Sequence, residues 1–188
     1  MIGYAICGSF CTHSHSLEIL KKLSELYDIV PILSFNTYLT DTRFGKANDL
    51  MSSIKKITGK EPICSIEAAE PLGPKIKLDA LIIAPCTGNT LAKLAHGITD
   101  TPVTMAAKAH MRNNRPVIIA LATNDAMSAN LANIGYLLNR KNVYFVPMRQ
   151  DEPVSKPHSL VCDFSRLIKT YESAMSGEQL RPLFLEKV

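Results

Sequence analysis

Five short apolar runs alternate with amphipathic stretches along the chain, and this alternation restricts the possible folds more than any other feature. The runs span Ile2 to Cys7, Ile29 to Leu33, Ala80 to Ala84, Val117 to Ala122 and Val143 to Val146. The third run is apolar throughout, as a parallel strand covered on both faces requires. Strands that alternate with helices favour a parallel sheet with right-handed crossovers.

Apolar residues recur at helical spacing between these runs. The predicted helical faces begin at Leu17, Ala47, Leu91, Pro102, Leu131 and Leu160, and the last one reaches Met175. We expect a surface excursion over residues 60–78 with one short strand at Ile63 to Ile66, and a proline-containing loop after Val146. The sequence therefore predicts an α/β chain: a single-domain Rossmann-like (flavodoxin-like) three-layer sandwich with a mostly parallel sheet, spanning residues 1–177 and followed by a C-terminal tail at 178–188.

Composition excludes several classes of function. The net charge is +4 and the basic residues are scattered, which argues against nucleic-acid binding. No apolar run approaches the roughly 18 residues of a transmembrane helix, so we expect no membrane association. Five cysteines without CxxC spacing favour neither a disulfide framework nor a metal site and fit a cytoplasmic protein.

Small polar residues follow four of the predicted strands. Ligands of open parallel sheets gather beyond the carboxyl ends of the strands, where helix N-termini also supply N–H groups. Hydroxyl and amide side chains at these ends suit a phosphate and a polar heterocycle. The alternative for each of them is that it caps the following helix. The candidate cofactor-binding residues from this pattern are Gly8, Ser9, Ser34, Thr37, Thr87, Asn89, Thr90, Thr123 and Asn124.

Several common motifs are missing. The turn after the first strand reads Gly8-Ser9-Phe10-Cys11-Thr12, with one glycine rather than GxGxxG. This disfavours NAD as the main ligand and favours FMN. The sequence also lacks a Walker phosphate loop, an HExxH zinc motif and a GxSxG nucleophile motif.

The segment from Ala84 to Asp100 reads APCTGNTLAKLAHGITD. It resembles the APASANTIAKIAxGIAD signature of the flavoprotein superfamily, which includes phosphopantothenoylcysteine decarboxylase, lantibiotic cysteine decarboxylases and flavin prenyltransferases. The resemblance implies FMN, with Gly8-Ser9 as the first phosphate-binding turn and Ser34 as the polar residue after the second strand. It also adds Thr104, Met105 and Ala122 to the cofactor site, the last within a divergent PxMNxxM motif at Ala122 to Met127.

This sequence lacks motifs that are typical of two groups of enzymes in the superfamily. The decarboxylases carry a catalytic histidine in an HIxL context, where this chain reads Lys75-Ile76-Lys77-Leu78. The proline of PxMN and the RExPL motif of the prenyltransferases are also missing. The sequence thus leaves a cysteine decarboxylase or a flavin prenyltransferase only as alternative functions.

Further segments resemble the family of dipicolinate synthase B subunits. They are Asp41 to Lys46, Ala69 to Ile76, Met105 to Ala109 and Tyr144 to Pro147. This resemblance implies an oxidoreductase subunit that works in bacterial sporulation. With an A subunit similar to nicotinamide-dependent dehydrogenases, it oxidises dihydrodipicolinate to dipicolinate. It also implies a homo-oligomer with the flavin near the boundary between two copies. The alternative from another functional class is a non-catalytic module that binds FMN, supports the A subunit and performs no redox step.

A dicarboxylate substrate requires fixed cations. Arg43 follows the second strand and is predicted to hold one carboxylate through a bidentate pair, with Lys75 as a weaker second anchor. The alternatives are an Arg43–Asp41 surface pair and a solvated Lys75. His13 and His15 are possible acids or bases, but no catalytic residue is assigned.

Overall fold

The computed structural model describes residues 1–186, which form one α/β unit. The strands are β1 Ile2–Ile6, β2 Ile29–Leu33, β3 Ala80–Cys86, β4 Val117–Thr123, β5 Val143–Phe145, β6 Met148–Arg149 and β7 Leu160–Cys162. The helices are α1 His13–Ser24, α2 Phe35–Leu39, α3 Ala47–Thr58, α4 Ile66–Ala69, α5 Gly88–His96, α6 Pro102–Met111, α7 Leu131–Leu138 and α8 Leu167–Met175. Short 3-10 turns span Phe10–Thr12 and Phe164–Arg166.

The seven-stranded sheet has a parallel body in the order β2-β1-β3-β4-β5. β5 pairs with the first half of β4, and β7 runs antiparallel beside its second half. β6 then pairs with β7 in the same antiparallel sense. The predicted fold class is therefore confirmed, because the sheet is mostly parallel and is covered by helices.

Two apolar layers lie on the two faces of the sheet. One contains Leu20 and Leu23 of α1, Ile54 of α3 and Leu167 of α8. The other contains residues of α4 to α7. Every residue of β1 and β3 is buried, which explains why these strands read as continuous apolar runs.

Two predicted elements were wrong. Only Ile63 of the predicted strand at 63–66 pairs with the sheet, through hydrogen bonds to Pro31 and Leu33 of β2. Ser65 then accepts a hydrogen bond from Ala68 N–H and caps α4, so Ile66 is helical. The predicted last helix includes Leu160, but Leu160–Cys162 forms β7 because the outer edge of β4 pairs with it.

The predicted C-terminal tail lies against the edge of the sheet. Gln179 Nε2 donates to Phe145 O at 2.7 Å, and Phe145 N donates to Gln179 Oε1 at 2.8 Å. Met148 N donates to Leu183 O, which continues the sheet beyond β6. The boundary between domain and tail at residue 177 stays a prediction. The last two positions of the tail, 187 and 188, lie outside the described residues.

Candidate functional site

A cleft of about 540 Å³ opens at the carboxyl ends of β1, β3 and β4, and we call it the carboxyl-edge cleft. Ligands of open parallel sheets bind at this edge, beside the point where the strand order reverses, which here lies between β1 and β3. The lining residues are Gly8, Ser9, Phe10, Cys11, Thr12, Arg43, Phe44, Thr87, Ala122, Thr123, Asn124, Asp125, Asp151, Lys156 and Val161.

The first wall is the turn between β1 and α1. Ser9 N donates to Cys7 O at 2.9 Å, and Thr12 Oγ1 donates to Ser9 O at 2.8 Å. Thr12 precedes α1 but its side chain does not cap the helix. Within residues 1–186 the first-turn amides of α1 thus have no side-chain acceptor, and a phosphate at this helix start would supply one.

The second wall is the start of α5. Thr87 Oγ1 accepts a hydrogen bond from Thr90 N–H at 3.3 Å and caps the helix. Thr90 is buried and its hydroxyl accepts from Thr87, whereas Asn89 is exposed on the first turn. Capping therefore explains Thr87, and neither Asn89 nor Thr90 is among the residues that line the cleft.

A polar network connects the end of β4 with the start of α7. Thr123 Oγ1 and Asn130 Nδ2 both donate to the Asp125 carboxylate, the latter at 2.9 Å. Asn133 Nδ2 donates in turn to Asn130 Oδ1 at 2.9 Å. This network fixes the loop after β4, and Gly88 packs directly against it. The loop therefore presents Thr123 and Asn124 to the cleft in a defined arrangement.

The cleft contains two cationic side chains, one from each of two loops. Arg43 lies over the Phe44 ring, with Cζ 4.9 Å from the ring centroid. Asp41 Oδ1 accepts from Ala47 N instead of pairing with Arg43, so the predicted alternative of an Arg43–Asp41 pair is wrong. Arg43 makes no ion pair with any residue in the described range 1–186. Lys156 Nζ donates to Asp151 Oδ2 at 3.1 Å.

The structure brings seven of the predicted site residues to this one cleft. Ser34 and Thr37 lie just behind it, where Ser34 Oγ is 2.8 Å from Thr37 Oγ1 and Thr37 Oγ1 donates to Ile6 O. Thr37 lines a smaller neighbouring cavity of about 230 Å³ that shares Phe10 and Phe44 with the cleft. The seven residues are Gly8, Ser9, Arg43, Thr87, Ala122, Thr123 and Asn124.

Lys75 lies at the opposite edge of the sheet. Its loop is fixed by a hydrogen bond from Asn113 Nδ2 to Gly73 O at 2.9 Å and by one from Asp79 N to Met1 O at 2.8 Å. Met1 precedes β1, so this is the amino edge. Lys75 and Arg43 of one chain therefore do not share a site, and the pairing predicted for them is corrected.

Thr104 and Met105 also lie outside the cleft of their own chain. Thr104 forms a capping box with Thr101 at the start of α6 and lines a cavity of about 290 Å³ beside Gly97. Met105 packs against the core on the same face of the sheet.

The buried titratable groups beside the cleft are held in their neutral forms. Burial raises the pKa of the Cys86 thiol well above its usual range, so Cys86 behaves as an unreactive core residue. Burial also lowers the pKa of His13, whose Nε2 lies 2.8 Å from Cys7 O. His15 lies on another cavity and stacks on Phe164 with ring centroids 5.9 Å apart.

The sequence-based site assignment leaves out five charged or aromatic residues of the cleft, namely Phe10, Phe44, Asp125, Asp151 and Lys156. Asp151 and Lys156 fall in a segment that reads as a surface loop, and their approach depends on the β6–β7 hairpin. Phe44 follows Arg43 directly, but nothing in the pattern predicts that its ring supports the guanidinium. The two strands that carry the loop of Lys156 are too short to show an alternating pattern, so the sequence contains no clear signal for its position.

A second cavity of about 540 Å³ lies between α1 and the β6–β7 hairpin. Its lysine and its arginine are both in ion pairs, Lys22 with Glu18 at 2.9 Å and Arg149 with Asp163 at 2.6 Å, whereas Arg43 of the carboxyl-edge cleft forms none within residues 1–186. It shares Thr12 at the start of α1 with the carboxyl-edge cleft, but none of its lining residues comes from the turns directly after β3 and β4. The carboxyl-edge cleft is therefore the stronger candidate for a cofactor site.

Two kinds of feature are absent from residues 1–186. No group of three or more His, Cys, Asp or Glu side chains there could hold a metal ion. No helix in that range has the length and apolar character needed to cross a membrane.

Similarity to known proteins extends over nearly the whole chain. Residues 2–172 match the family model described as Flavoprotein. The chain is 44% identical to the B subunit of dipicolinate synthase from Bacillus subtilis (strain 168) over 98% of this chain and 93% of the relative. The crystal structure of the dipicolinate synthase B subunit from Bacillus halodurans superposes with a TM-score of 0.91 at 41% identity, covering 100% of this chain and 96% of that one. The FMN-dependent cysteine decarboxylase SpaF superposes with a TM-score of 0.64 at 26% identity, covering 93% and 94%.

Proposed function

Since this chain belongs to the Flavoprotein family, we propose that it binds FMN in the carboxyl-edge cleft and serves as the B-type subunit of a dipicolinate synthase. In this proposal it works with a dehydrogenase-like A subunit that carries a nicotinamide cofactor. Together they oxidise dihydrodipicolinate to dipicolinate during bacterial sporulation. The similarity to two dipicolinate synthase B subunits over nearly the whole chain supports the proposal.

The residues of the cleft fit FMN. The volume of about 540 Å³ lies within the range of about 300–1,000 Å³ typical of small-molecule sites. The turn at Gly8 and Ser9 and the start of α5 would hold the phosphate, because helix N-termini stabilise anions. Thr123 and Asn124 would hydrogen-bond the polar edge of the ring. When bound, FMN supplies a two-electron acceptor next to the substrate.

The proposed substrate class rests mainly on the position of Arg43. Its guanidinium lines the same cleft as the strand-end residues and forms no ion pair within the described residues 1–186. The Phe44 ring supports it from one side, and this contact limits its rotation. Such an arginine can bind a carboxylate through two parallel hydrogen bonds and set the orientation of the attached ring.

The chemistry requires orientation more than acid or base strength. Oxidation of dihydrodipicolinate to dipicolinate removes two electrons and two protons and gains the stability of an aromatic ring. Arg43 would hold the ring by a carboxylate, and Phe10 and Phe44 would exclude water from one side. No side chain of the cleft is assigned as the proton acceptor.

The cofactor assignment is tested by binding. Purified chain is loaded with FMN, and the ligand is released and identified by mass spectrometry and phosphorus analysis. Asn89→Ala and Ser34→Ala should each weaken FMN binding, by about 0.5–1.5 kcal/mol for one lost hydrogen bond or by more for a phosphate contact. Both variants should remain folded. No FMN binding by the parent at high micromolar concentration would contradict the cofactor assignment.

The substrate assignment is tested by reconstitution. Arg43→Lys and Arg43→Ala are combined with the A subunit, and dipicolinate formation is measured across substrate concentrations. Both should lower kcat/KM about tenfold or more with FMN still bound, because lysine keeps the charge but cannot form the bidentate pair. An unchanged kcat/KM in both variants would make Arg43 a structural residue.

Two alternatives are separated by the same assays. A binding module without a redox step would leave dipicolinate formation by the A subunit unchanged when its flavin is removed. The similarity to SpaF favours cysteine decarboxylation as the second enzyme candidate, whereas Lys75 to Leu78 stand where the decarboxylases carry their histidine. Carbon dioxide release from a peptide with a C-terminal cysteine would support that candidate.

A further inference from the structure

We propose that Lys156 binds the second carboxylate of the substrate, opposite the carboxylate held by Arg43. This inference rests on the proposed function, because it takes the ligand of the cleft to be a planar ring with two carboxylates. It gives Lys156 the role that the sequence predicts for Lys75.

The distribution of charge in the cleft points to this residue. Arg43 and Lys156 are the two cationic side chains among its lining residues. Arg43 comes from the loop between α2 and α3, whereas Lys156 comes from the loop of the β6–β7 hairpin. Two cations on separate loops suit a ring whose carboxylates flank the ring nitrogen on both sides.

The hairpin loop holds Lys156 in place. Lys156 N donates to Glu152 O at 2.7 Å, and Gln150 Nε2 donates to Pro157 O at 3.0 Å across the loop. Met127 N donates to His158 O at 2.9 Å, which connects this loop to the loop after β4. The backbone of Lys156 is therefore bound to the same framework that presents Asn124 to the cleft.

The ammonium group of Lys156 remains able to bind a ligand. It donates to Asp151 Oδ2 at 3.1 Å, which takes one of its three N–H donors, and it also lies 3.8 Å from Glu152 Oε1. The Lys156 side chain is 43% exposed, so the other donors can reach a carboxylate in the cleft. Asp151 acts as a positioning residue that keeps Nζ at the wall.

The two cations would do different work. Arg43 sets the ring orientation through its planar fork, whereas Lys156 contributes a point charge that tolerates small displacements. Removing Lys156 should therefore reduce affinity for the second carboxylate without changing how the first one binds.

Two probes that differ by one carboxylate test this role. FMN-loaded chain is titrated by calorimetry at low salt with pyridine-2,6-dicarboxylate and with pyridine-2-carboxylate. The parent should prefer the dicarboxylate about tenfold or more, which corresponds to one charge-assisted contact. Lys156→Met should abolish that preference and leave the affinity for the monocarboxylate unchanged. Lys156→Arg should keep the preference.

Lys169→Met serves as the matched control, because Lys169 is an exposed lysine on α8 and does not line the cleft. It should bind both probes like the parent. The melting temperature and the FMN affinity of Lys156→Met should match those of the parent, and Lys156→Gln repeats the test with a polar side chain.

The outcomes separate the two proposals. If Lys156→Met and Lys156→Gln keep the full preference for the dicarboxylate, Lys156 is not an anchor, while the proposed function stands. If the FMN-loaded parent binds neither probe, or binds both equally, the dicarboxylate site itself is wrong and the Lys156 role falls with it.

Discussion

At Gly88, the first residue of α5, the structure leaves no room for a side chain. An added Cβ would lie 2.6 Å from Asn130 Nδ2 and Asp125 Oδ1 and 2.7 Å from Thr123 Oγ1. These are the atoms of the network that fixes the loop after β4. Its backbone conformation is not the left-handed one, so the requirement for glycine is steric. A single missing side chain thus sets the distance between two walls of the cleft.

Gly88→Ala should push this loop away from α5. We expect a loss of about 1–3 kcal/mol in the free energy of unfolding from overpacking, together with weaker FMN binding. Urea denaturation and FMN titration measure the two effects. Gly135→Ala is the control, because nothing lies within 4 Å of a Cβ there and alanine in mid-helix adds about 0.5–1 kcal/mol of stability. Equal FMN affinity in Gly88→Ala and the parent would mean that the network does not shape the site.

At the scale of elements, helix ends and strand ends were predictable because neighbouring residues in the sequence determine them. Gly59 ends α3 with φ of 69°, and Thr101 caps α6 directly before the predicted helix start at Pro102. The strand ends Gly8, Thr87 and Asn124 were correctly expected at one edge, because a parallel sheet brings its carboxyl ends together.

Elements that depend on distant partners were not predictable in this way. β6 has two residues and β7 has three, so neither contains enough positions to show an alternating pattern. They are strands because β7 pairs with the end of β4. Lys156 enters the cleft through this pairing alone, which explains why the sequence pointed to Lys75 instead.

The junction between α6 and β4 should make stability depend on pH. His110 is fully buried, and its Nε2 is 3.0 Å from Pro116 O. Its Nδ1 has no hydrogen-bond partner within residues 1–186, and burial lowers the pKa of His110. The folded chain therefore keeps His110 neutral where the unfolded chain takes up a proton, near pH ~6.5. Stability is complete above that pH and falls as the pH drops below it.

His110→Gln tests this expectation, since glutamine can still donate to Pro116 O and does not titrate. Between pH 7 and 5.5 the free energy of unfolding should fall less steeply in the variant, by at most about 1.4 kcal/mol per pH unit for one group. Burial also lowers the pKa of His13, so this residue should cause part of the pH dependence that remains in His110→Gln. Identical slopes in parent and His110→Gln would rule out this group as a source of acid sensitivity.

At the scale of the whole molecule, the α5–α7 side has the features of an interface between copies of the chain. Ile98, Leu131 and Tyr136 are large apolar residues exposed on it. The Tyr136 ring lies against His96, with centroids 6.3 Å apart. Clustered exposed apolar residues commonly mark interaction sites. Met105, which the family resemblance assigns to the flavin, is on this layer and outside its own cleft.

We therefore expect a homo-oligomer in which this side of one chain meets the flavin cleft of another. Light scattering after size-exclusion chromatography should give a mass above 20.7 kDa at micromolar concentration. Tyr136→Glu should shift the protein toward the monomer, because it buries a charge without a partner at the interface. Leu26→Glu is the matched control, since Leu26 is equally exposed on the turn after α1, away from α5–α7.

Met105→Ala should weaken FMN binding in the oligomer and have no effect in the Tyr136→Glu background. A monomeric parent would contradict the assembly, and an equal loss of FMN affinity in both backgrounds would place Met105 beside the flavin of its own chain.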